Sequence, residues 1–321
     1  MPDSLFINKY QPRVFADFEI DIEIIDILKT MININNLNIL FIGDMGCGKT
    51  SLLNALIHEY YNDQTISKLQ INENIMYINN LKEQGINYYR TDVKTFCQTG
   101  SSIKGKKKIV VLDDIDLINE QSQQVFRNSM DKFSHNVHFI ASCNNIQKVI
   151  ESLQSRFMII KIKPLHRENL IKIMNKIKIN ENIVIHRDAE NFILDICNNI
   201  AKILINYMEK FKLLNKEITL DLANSVCTNI SFFIFQEYTE YIKQHNLHQA
   251  IKLLYTVYDK GYSVMDILDN YFLFVKTTNI LNEDEKYNII PIICKYITIF
   301  HNVHEDEIEL ALLTNNLGQI L

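Results

Sequence analysis

The sequence predicts an α/β core with a parallel sheet, followed by a small helical domain and an all-α C-terminal domain. Up to residue 162, short apolar runs typical of buried strands alternate with helical patterns. Beyond Pro164, apolar residues recur at spacings of three and four, and strand signals become rare. We therefore divide the 321-residue chain into domains at residues 1–164, 165–225 and 226–321.

The composition is that of a globular protein, since 47% of the residues are hydrophobic and 22% are charged. Long apolar runs and a signal-peptide pattern are missing from the sequence, so we expect a soluble, intracellular protein with no membrane partner, in the nucleus or the cytoplasm. Six scattered cysteines without a C-x-x-C pair predict reduced core residues rather than zinc ligands or disulfides. A net charge of −5 disfavours a dedicated duplex-binding domain, although a ring subunit can place a few basic groups on its inner face.

The core elements are predicted in chain order. An extended N-terminal segment with Pro12 precedes a helix near Ile22–Ile32, and buried strands then alternate with helices, which indicates a parallel sheet covered on both faces. The predicted strands are Asn38–Ile42, Ile75–Ile78, Ile109–Leu112, Val137–Ser142 and Met158–Ile162. The predicted helical segments are one that opens at Ser51, Asp92–Cys97, Gln121–Phe133, Ile146–Gln154, and the helical regions Arg167–Leu222 and Val226–Leu321.

A glycine-rich loop, GDMGCGKT, joins the first strand to the next helix and runs from Gly43 to Thr50. It matches G-x-x-x-x-G-K-[ST] in a strand–turn–helix context, where glycines let successive N–H groups face one phosphate. Lys49 is expected to reach the β- and γ-phosphates, and Thr50 to ligate Mg²⁺. The alternative is a glycine turn that only joins strand to helix. The predicted phosphate-binding residues are Gly43, Asp44, Met45, Gly46, Cys47, Gly48, Lys49, Thr50 and Ser51.

Two acids, Asp113 and Asp114, end the apolar strand Ile109–Leu112. In a phosphate-loop ATPase, an acid at the tip of this strand holds the Mg²⁺ shell, and its neighbour orients the attacking water. We assign Asp113 to the metal and Asp114 to the water. The alternative is a strand that simply ends in solvated acids.

Asn144 and Arg156 are candidates because of their places in the fold. Asn144 follows the strand Val137–Ser142, and ligands of open α/β sheets sit beyond the carboxyl ends of the strands, so its amide can position water against the γ-phosphate. By itself, Asn144-Asn145 is a turn signal. Arg156 is either an ordinary surface residue or, in a ring, an arginine that stabilises transition-state charge in the neighbouring subunit's site.

The ordered set of motifs resembles the AAA+ clamp loaders, specifically the small subunits of replication factor C. Lys9-Tyr10-Gln11-Pro12 is similar to the family's Lys-Tyr-Arg-Pro segment, and Gly43–Thr50 and Leu112-Asp113-Asp114 are similar to its Walker A and B elements. Cys143-Asn144 resembles its first sensor, and Ser155-Arg156-Phe157 its Ser-Arg-Cys motif. The stretch QSRFMIIKIKPL distinguishes this group from other AAA+ proteins.

This resemblance implies an α/β AAA+ P-loop core with a parallel sheet, a small helical lid and an all-α C-terminal collar. It also implies an ATP- and Mg²⁺-dependent ATPase, weak alone and stimulated by clamp and DNA. The subunit would join other large and small clamp-loader subunits in a five-membered spiral that opens a sliding clamp and places it on primer–template DNA. Tyr10 and Pro12 would lie near the adenine, and Arg156 would act in trans.

Several positions depart from the family pattern. Asp114 stands where the family usually has Glu, which sets the carboxylate back by roughly one C–C bond length. The lid arginine that senses the γ-phosphate is either replaced by Lys202, after Asn198-Asn199-Ile200-Ala201, or absent. Gln11 and Phe157 replace the usual Arg and Cys. ATP binding is therefore predicted more firmly than hydrolysis.

Two other functions fit the same motifs. The chain can be an ATP-binding structural subunit that lends Arg156 to its neighbour but hydrolyses little itself. It can also be an AAA+ DNA motor of another type, such as a branch-migration helicase, but that class needs a DNA-reading appendage, often with strands, near the C-terminus. For DNA contacts, the lysines of 104–108 either face phosphates or form a solvated loop, and Arg127 is a further candidate.

Overall fold

In the part of the chain that the structure describes, five parallel strands form one sheet. The computed structural model describes residues 5–62, 67–78, 86–197, 199–227, 230, 232–278, 280–300 and 303–321. The predicted strands are confirmed, with small shifts at their ends. The strands are β1 Ile39–Ile42, β2 Ile75–Ile78, β3 Lys108–Leu112, β4 Val137–Cys143 and β5 Met158–Lys161. Their order in the sheet is β2-β3-β4-β1-β5.

Sixteen helices are found within the described residues. Those up to the fifth strand are α1 Phe6–Lys9, α2 Ile22–Ile34, α3 Lys49–Tyr60, α4 Lys68–Glu73, α5 Ile86–Gln98, α6 Glu120–Phe133 and α7 Glu151–Gln154. The later ones are α8 Arg167–Glu181, α9 Arg187–Ile196, α10 Ala201–Leu214, α11 Leu220–Val226, α12 Phe232–Lys243, α13 Leu247–Tyr258, α14 Val264–Thr277, α15 Glu283–Phe300 and α16 Ile308–Gly318. Short 3₁₀ turns cover Phe15–Asp17, Ile115–Leu117 and Ile146–Lys148.

The prediction of one helical segment over Ile146–Gln154 is wrong, because the backbone is extended at Val149 and Ile150. The buried side chain of Gln123 on α6 explains the break. Its Nε2 donates to the Lys148 carbonyl at 2.9 Å, and its Oε1 accepts the Ile150 N–H at 2.9 Å. These side-chain bonds take backbone groups that a continuous helix would use internally.

The sheet is covered on both faces, as the run of buried strands predicts. Every residue of β3 and β4 is buried. One face of the sheet packs against α2 and α3 through residues such as Phe41 and Leu56, and the other packs against α5 and α6 through residues such as Val110 and Phe126. Because all five strands are parallel, the segments that follow β1, β3 and β4 leave the sheet at one edge.

The chain forms two compact units. The first holds the described residues within Met1–Val184 and Asn199–Glu217, and so contains the sheet together with α8 and α10. The second holds those within Ile185–Asn198 and Ile218–Leu321. The domain boundaries at 165 and 226 stay predictions.

Within its described residues, the second unit is helical apart from one isolated bridge between Ile185 and Ile218. Helices α12 to α16 bury an apolar core that also encloses polar pairs, such as the hydroxyls of Tyr238 and Thr314 at 2.9 Å. None of the helices described is long and apolar enough to cross a membrane. Five cysteines are buried, but Cys294 on α15 is exposed, so the expectation of core cysteines is wrong there.

A buried histidine ties helices to the amino-terminal edge of the sheet. His138 Nδ1 accepts the Leu37 N–H at 3.4 Å, and Nε2 lies 3.2 Å from Asn35 Oδ1. With Nδ1 as acceptor, the proton belongs on Nε2, which donates to Asn35. The Tyr60 hydroxyl donates to the same Asn35 oxygen at 2.8 Å. Burial, aided by the charge of Lys107, lowers the pKa of His138 to about 3.

This pKa predicts that acid weakens the fold. Between the pKa of His138 in the unfolded chain and its value of about 3 in the folded protein, the unfolded chain binds more protons, so stability falls as pH falls. We expect the free energy of unfolding to drop by about 1.4 kcal/mol from this residue between pH 7.5 and 5.5. Urea unfolding of wild type and His138→Gln at both pH values measures it.

In His138→Gln the drop should shrink by that amount, whereas the exposed neighbour His135 provides the control, and His135→Gln should keep the wild-type pH dependence. The same drop in His138→Gln as in wild type would show that protonation of other groups causes it.

Candidate nucleotide-binding site

The loop after β1 adopts a conformation that depends on its glycines. Gly46 and Gly48 have φ values of 77° and 94°, in the left-handed region that favours glycine. A Cβ on Gly46 would lie 2.6 Å from the Ile200 Cγ2 atom, just before α10. Helix α3 starts immediately after Gly48. The loop and the first N–H groups of α3 therefore form a cradle suited to an anion.

Lys49 is the charged centre of this cradle, and it is only 6% exposed. Its Nζ donates to the carbonyls of Gly43 and Asp44, each at 2.9 Å, and to Asn144 Oδ1 at 2.8 Å. The structure thus brings together two side chains, Lys49 and Asn144, that were selected separately from the sequence.

Asp113 lies beside Thr50, the other residue that the sequence predicts as a Mg²⁺ ligand. The Thr50 hydroxyl donates towards Asp113 Oδ1 and Oδ2 at 3.3 and 3.4 Å. The hydroxyl of Ser142 also donates to Asp113 Oδ1, at 2.5 Å. The described residues include no group of three or more His, Cys, Asp or Glu placed to hold a metal by itself. This small donor set fits Mg²⁺, which proteins usually hold through one or two carboxylates together with phosphate oxygens and water.

Asp114 is held in an unusual backbone conformation beside Asn144. Its φ is 51°, and its N–H donates to the Ser142 hydroxyl at 3.0 Å. Asn144 Nδ2 donates to Asp114 Oδ1 at 3.4 Å. Burial, followed by the nearby charges of Asp113 and Asp116, raises the pKa of Asp114.

Two polar residues of the site were missed in the sequence. Ser142 contacts Asp113 and the backbone of Asp114. Asp116 accepts the N–H groups of Asn144 and Asn145 at 3.2 and 3.0 Å. Their signals in the sequence are weak, because Ser142 is one hydroxyl at the end of an apolar strand and Asp116 is a third acid two residues beyond the pair.

A cavity of about 680 Å³ lies above the loop, within the range of small-molecule sites. Its wall contains Tyr10, Pro12, Asp114, Asn144 and Lys202, together with loop residues from Met45 to Ser51. Gly43, Asp44 and Asp113 are not in this wall, but they contact Lys49 or Thr50. Lys202 is exposed in the first turn of α10. Asn198, part of the predicted lid motif, lies outside the described residues.

The N-terminal segment reaches the cavity through an anchored tyrosine. The Tyr10 hydroxyl and Lys9 Nζ donate to Glu181 Oε1 at 2.5 and 2.6 Å. Burial and the Glu181 carboxylate raise the pKa of Tyr10 to about 12. Although burial raises the pKa of Glu181, these two hydrogen bonds lower it below its usual value. Glu181, at the end of α8, thus fixes one wall of the cavity and was not found from the sequence.

Arg156 is not part of the cavity wall. Its Nε and Nη2 donate to the two oxygens of Asp131 on α6, at 2.6 and 2.9 Å, and Nη1 donates to the Ser152 carbonyl. The hydrogen bond from Arg156 lowers the pKa of Asp131. Arg127 Nε lies 3.8 Å from the same carboxylate. The structure therefore places Arg156 beside Asp131 and not with the other candidates in the chain's own site.

The lysines of 104–108 were predicted either to face DNA phosphates or to form a solvated loop, and neither interpretation describes all of them. Lys106 Nζ lies 4.5 Å from the centre of the Tyr60 ring, Lys107 donates to the Ser134 carbonyl at 3.0 Å, and Lys108 donates to the Thr99 hydroxyl at 2.5 Å. Lys108 is buried, which lowers its pKa. These lysines support the start of β3, at the sheet edge opposite the loop.

Comparisons with known proteins agree with this geometry. Residues 39–165 match the sequence model of the ATPase family associated with various cellular activities (AAA). The chain is similar to replication factor C small subunit 2 of Pyrobaculum islandicum, with 30% identity over 84% of this chain and 82% of that protein. It is also similar to the replication factor C small subunit of Methanococcus maripaludis strain S2, with 27% identity over 98% of both chains.

Among solved structures, the Holliday junction branch migration motor RuvB of Thermotoga maritima is similar in fold. Its TM-score is 0.52 at 13% identity, over 76% of this chain and 85% of that chain. At this identity the likeness concerns the fold alone. Together with the sequence model, it confirms the predicted α/β AAA+ core, and the chain carries a nucleotide-binding AAA ATPase domain.

The anchor at Glu181 predicts a change in nucleotide affinity. In Glu181→Ala, Lys9 and Tyr10 lose a shared acceptor, so the wall that contains Tyr10 and Pro12 should loosen. We expect ATP to bind about 3- to 10-fold more weakly, because losing these charge-assisted hydrogen bonds destabilises the wall and so lowers the free energy gained on ATP binding. Isothermal titration with a non-hydrolysable ATP analogue measures the change.

The matched control is Glu168→Ala, since Glu168 is an exposed acid in the first turn of the same helix. It should bind the analogue like wild type. Wild-type affinity in a folded Glu181→Ala variant would show that the segment does not support nucleotide binding.

Proposed function

The chain belongs to the family of replication factor C small subunits, and from this premise we propose that it is a small subunit of an ATP-dependent clamp loader. In this role it would join other large and small subunits in a pentamer, open a sliding clamp and place it on primer–template DNA during replication. The observation that carries the proposal is the junction of Lys49 with Asn144 and of Thr50 with Asp113, in a chain of this family. These contacts unite the separate ATPase motifs in one site.

ATP and Mg²⁺ fit the residues of the site. The glycine loop, Lys49 and the start of α3 would hold the phosphates, whereas Thr50 and Asp113 would hold the ion. When bound, Mg²⁺ supplies positive charge against the β- and γ-phosphate oxygens. Tyr10 and Pro12 would line the base end of the cavity, and Lys202 would approach the phosphates as a point charge rather than a fork.

Asp114 and Asn144 would prepare the attacking water. The carboxylate of Asp114 would accept a hydrogen bond from the water, so that a lone pair of the water oxygen faces the γ-phosphate. The Asn144 amide would hold the Asp114 side chain in place through its hydrogen bond to Oδ1. The raised pKa of Asp114 makes its carboxylate a stronger proton acceptor than an ordinary Asp. Its shorter side chain, compared with Glu, favours slow hydrolysis in the isolated chain. We propose that clamp and DNA stimulate this hydrolysis in the assembly.

Arg156 would serve the neighbouring subunit. In a head-to-tail ring, the surface that carries Arg156 meets the nucleotide site of the next copy or relative. The forked bond to Asp131 supports this role, because it fixes the plane of the guanidinium at the surface before a neighbour arrives. Asp131 in turn is held on the regular helix α6.

Two rival functions, a structural subunit and a DNA motor, predict different results in the tests below. A structural subunit would bind ATP and lend Arg156, but changes at Asp114 would leave the ATPase of the assembly intact. For a DNA motor, the fold likeness to RuvB carries no functional argument at 13% identity. Residues 232–278, 280–300 and 303–321 contain helices and no strand, unlike a typical winged-helix appendage. A homohexamer in gel filtration would nevertheless favour the motor.

In the complex with the co-purifying subunits, Arg156→Ala should abolish the share of clamp- and DNA-stimulated ATP hydrolysis that comes from the neighbouring subunit's site. Loss of an arginine that stabilises transition-state charge in trans lowers the rate by about 10³-fold or more at the neighbour's site. Steady-state phosphate release measures it. Lys148→Ala removes a nearby exposed cation and should behave like wild type. Undiminished stimulation in Arg156→Ala would remove this residue from the mechanism.

Variants at Asp114 distinguish a subunit that hydrolyses ATP from a purely structural one. Asp114→Asn keeps the size of the side chain but removes the proton acceptor, so we expect the rate at this site to fall by about 10²-fold or more while ATP binding persists. Asp114→Glu restores the family's longer acid and should hydrolyse at least as fast as wild type. An assembly ATPase unaffected by Asp114→Asn would favour the structural-subunit function.

A further inference from the structure

Asp116 is a buried acid to which the proposed function gives no task. It lies in the 3₁₀ turn Ile115–Leu117, beyond the two acids that end β3, and is only 9% exposed. It does not line the cavity. A carboxylate is strongly disfavoured in such a place unless it makes hydrogen bonds, so its partners indicate why it is there.

One carboxylate oxygen of Asp116 binds the turn that follows β4. Oδ2 accepts the N–H of Asn144 at 3.2 Å and the N–H of Asn145 at 3.0 Å. Two donors on consecutive residues converge on one oxygen, which restrains the direction in which the backbone leaves the strand. The other oxygen, Oδ1, has no hydrogen-bond partner among the described residues. The contacts of Asp116 are thus concentrated on this turn.

The turn carries the side chain that connects the cation and the acid of the site. From the backbone fixed by Asp116, the Asn144 amide accepts from Lys49 Nζ at 2.8 Å and donates to Asp114 at 3.4 Å. A rotation of this backbone would move both ends of the amide together. Small displacements of groups beside a reacting centre have large effects on rate.

We propose that Asp116 is a positioning residue for Asn144. It holds the two N–H groups after β4 so that the Asn144 amide faces Lys49 on one side and Asp114 on the other. Asp116 itself touches neither nucleotide nor water in this role. The inference rests on the proposed ATPase function and extends it from the residues of the site to the acid that orients one of them.

The first test is a double-mutant cycle on the ATPase of the complete assembly with clamp and primed DNA. Asp116→Ala should lower kcat at this subunit's site about 10- to 100-fold and change its ATP affinity by less than about threefold. If Asp116 acts through Asn144, the double variant with Asn144→Ala should be no slower than Asn144→Ala alone. Additive losses, or a wild-type kcat in Asp116→Ala, would overturn the proposal.

Asp116→Asn tests whether the acceptor is the required group. Its amide oxygen can still accept both N–H groups, so it should retain more of kcat than Asp116→Ala does. If Asp116→Ala fails to fold, Asp116→Asn still tests the proposal, because its unfolding midpoint and its kcat can be compared with those of wild type. A folded Asp116→Asn variant as slow as Asn144→Ala would contradict a role through these hydrogen bonds. Glu120→Ala, a change of an exposed acid on α6, is the control for both measurements.

A second readout does not depend on ATP hydrolysis. Amide hydrogen exchange at Asn144 and Asn145, followed by NMR on the full chain, should be at least about tenfold faster in Asp116→Ala than in wild type or Glu120→Ala. Equal protection in all three would overturn the inference. If the wild-type assembly hydrolyses no ATP, the proposed function fails, yet this exchange measurement still decides whether Asp116 holds the turn.

Discussion

The burial of the Lys49 ammonium is the constraint on which the site depends. A cation that is 6% exposed needs acceptors on several sides, and three converge on it from the loop after β1 and the end of β4. These segments meet because β1 and β4 are hydrogen-bonded neighbours in a parallel sheet. The strand order is therefore the reason why Asn144, distant by 95 positions in the chain, reaches Lys49.

Each of the three acids after β3 has its own hydrogen-bond partners. Asp113 turns towards Thr50 and Ser142, Asp114 towards Asn144, and Asp116 towards backbone N–H groups. Carboxylates so close together repel one another, and the raised pKa of Asp114 reflects its burial first and then that repulsion. Separate partners for each acid suit the separate tasks that we propose for them.

The strands and the glycine loop could be predicted from the sequence because their signals are local. The glycine loop and the acids after β3 are contiguous motifs, and apolar runs mark strands buried on both faces. Ser142, Asp116 and Glu181 were missed because their roles arise from partners distant in the chain. Similarly, Gln123 interrupts the helical segment predicted over Ile146–Gln154 through contacts that no local pattern contains.

In the proposed ring, Arg156 would be oriented for a site in another molecule before the two molecules meet. A long exposed side chain loses rotamer entropy when a partner fixes it, and prior fixation lowers that loss on assembly. Asp131 fixes the Arg156 side chain by accepting two hydrogen bonds from its planar guanidinium. The same pairing partly neutralises the cation, so a phosphate of the neighbouring subunit would have to compete with Asp131 for its donors. Orientation and competition act in opposite directions on the affinity of Arg156 for that phosphate, and in the proposed ring the geometry of the interface would decide their balance.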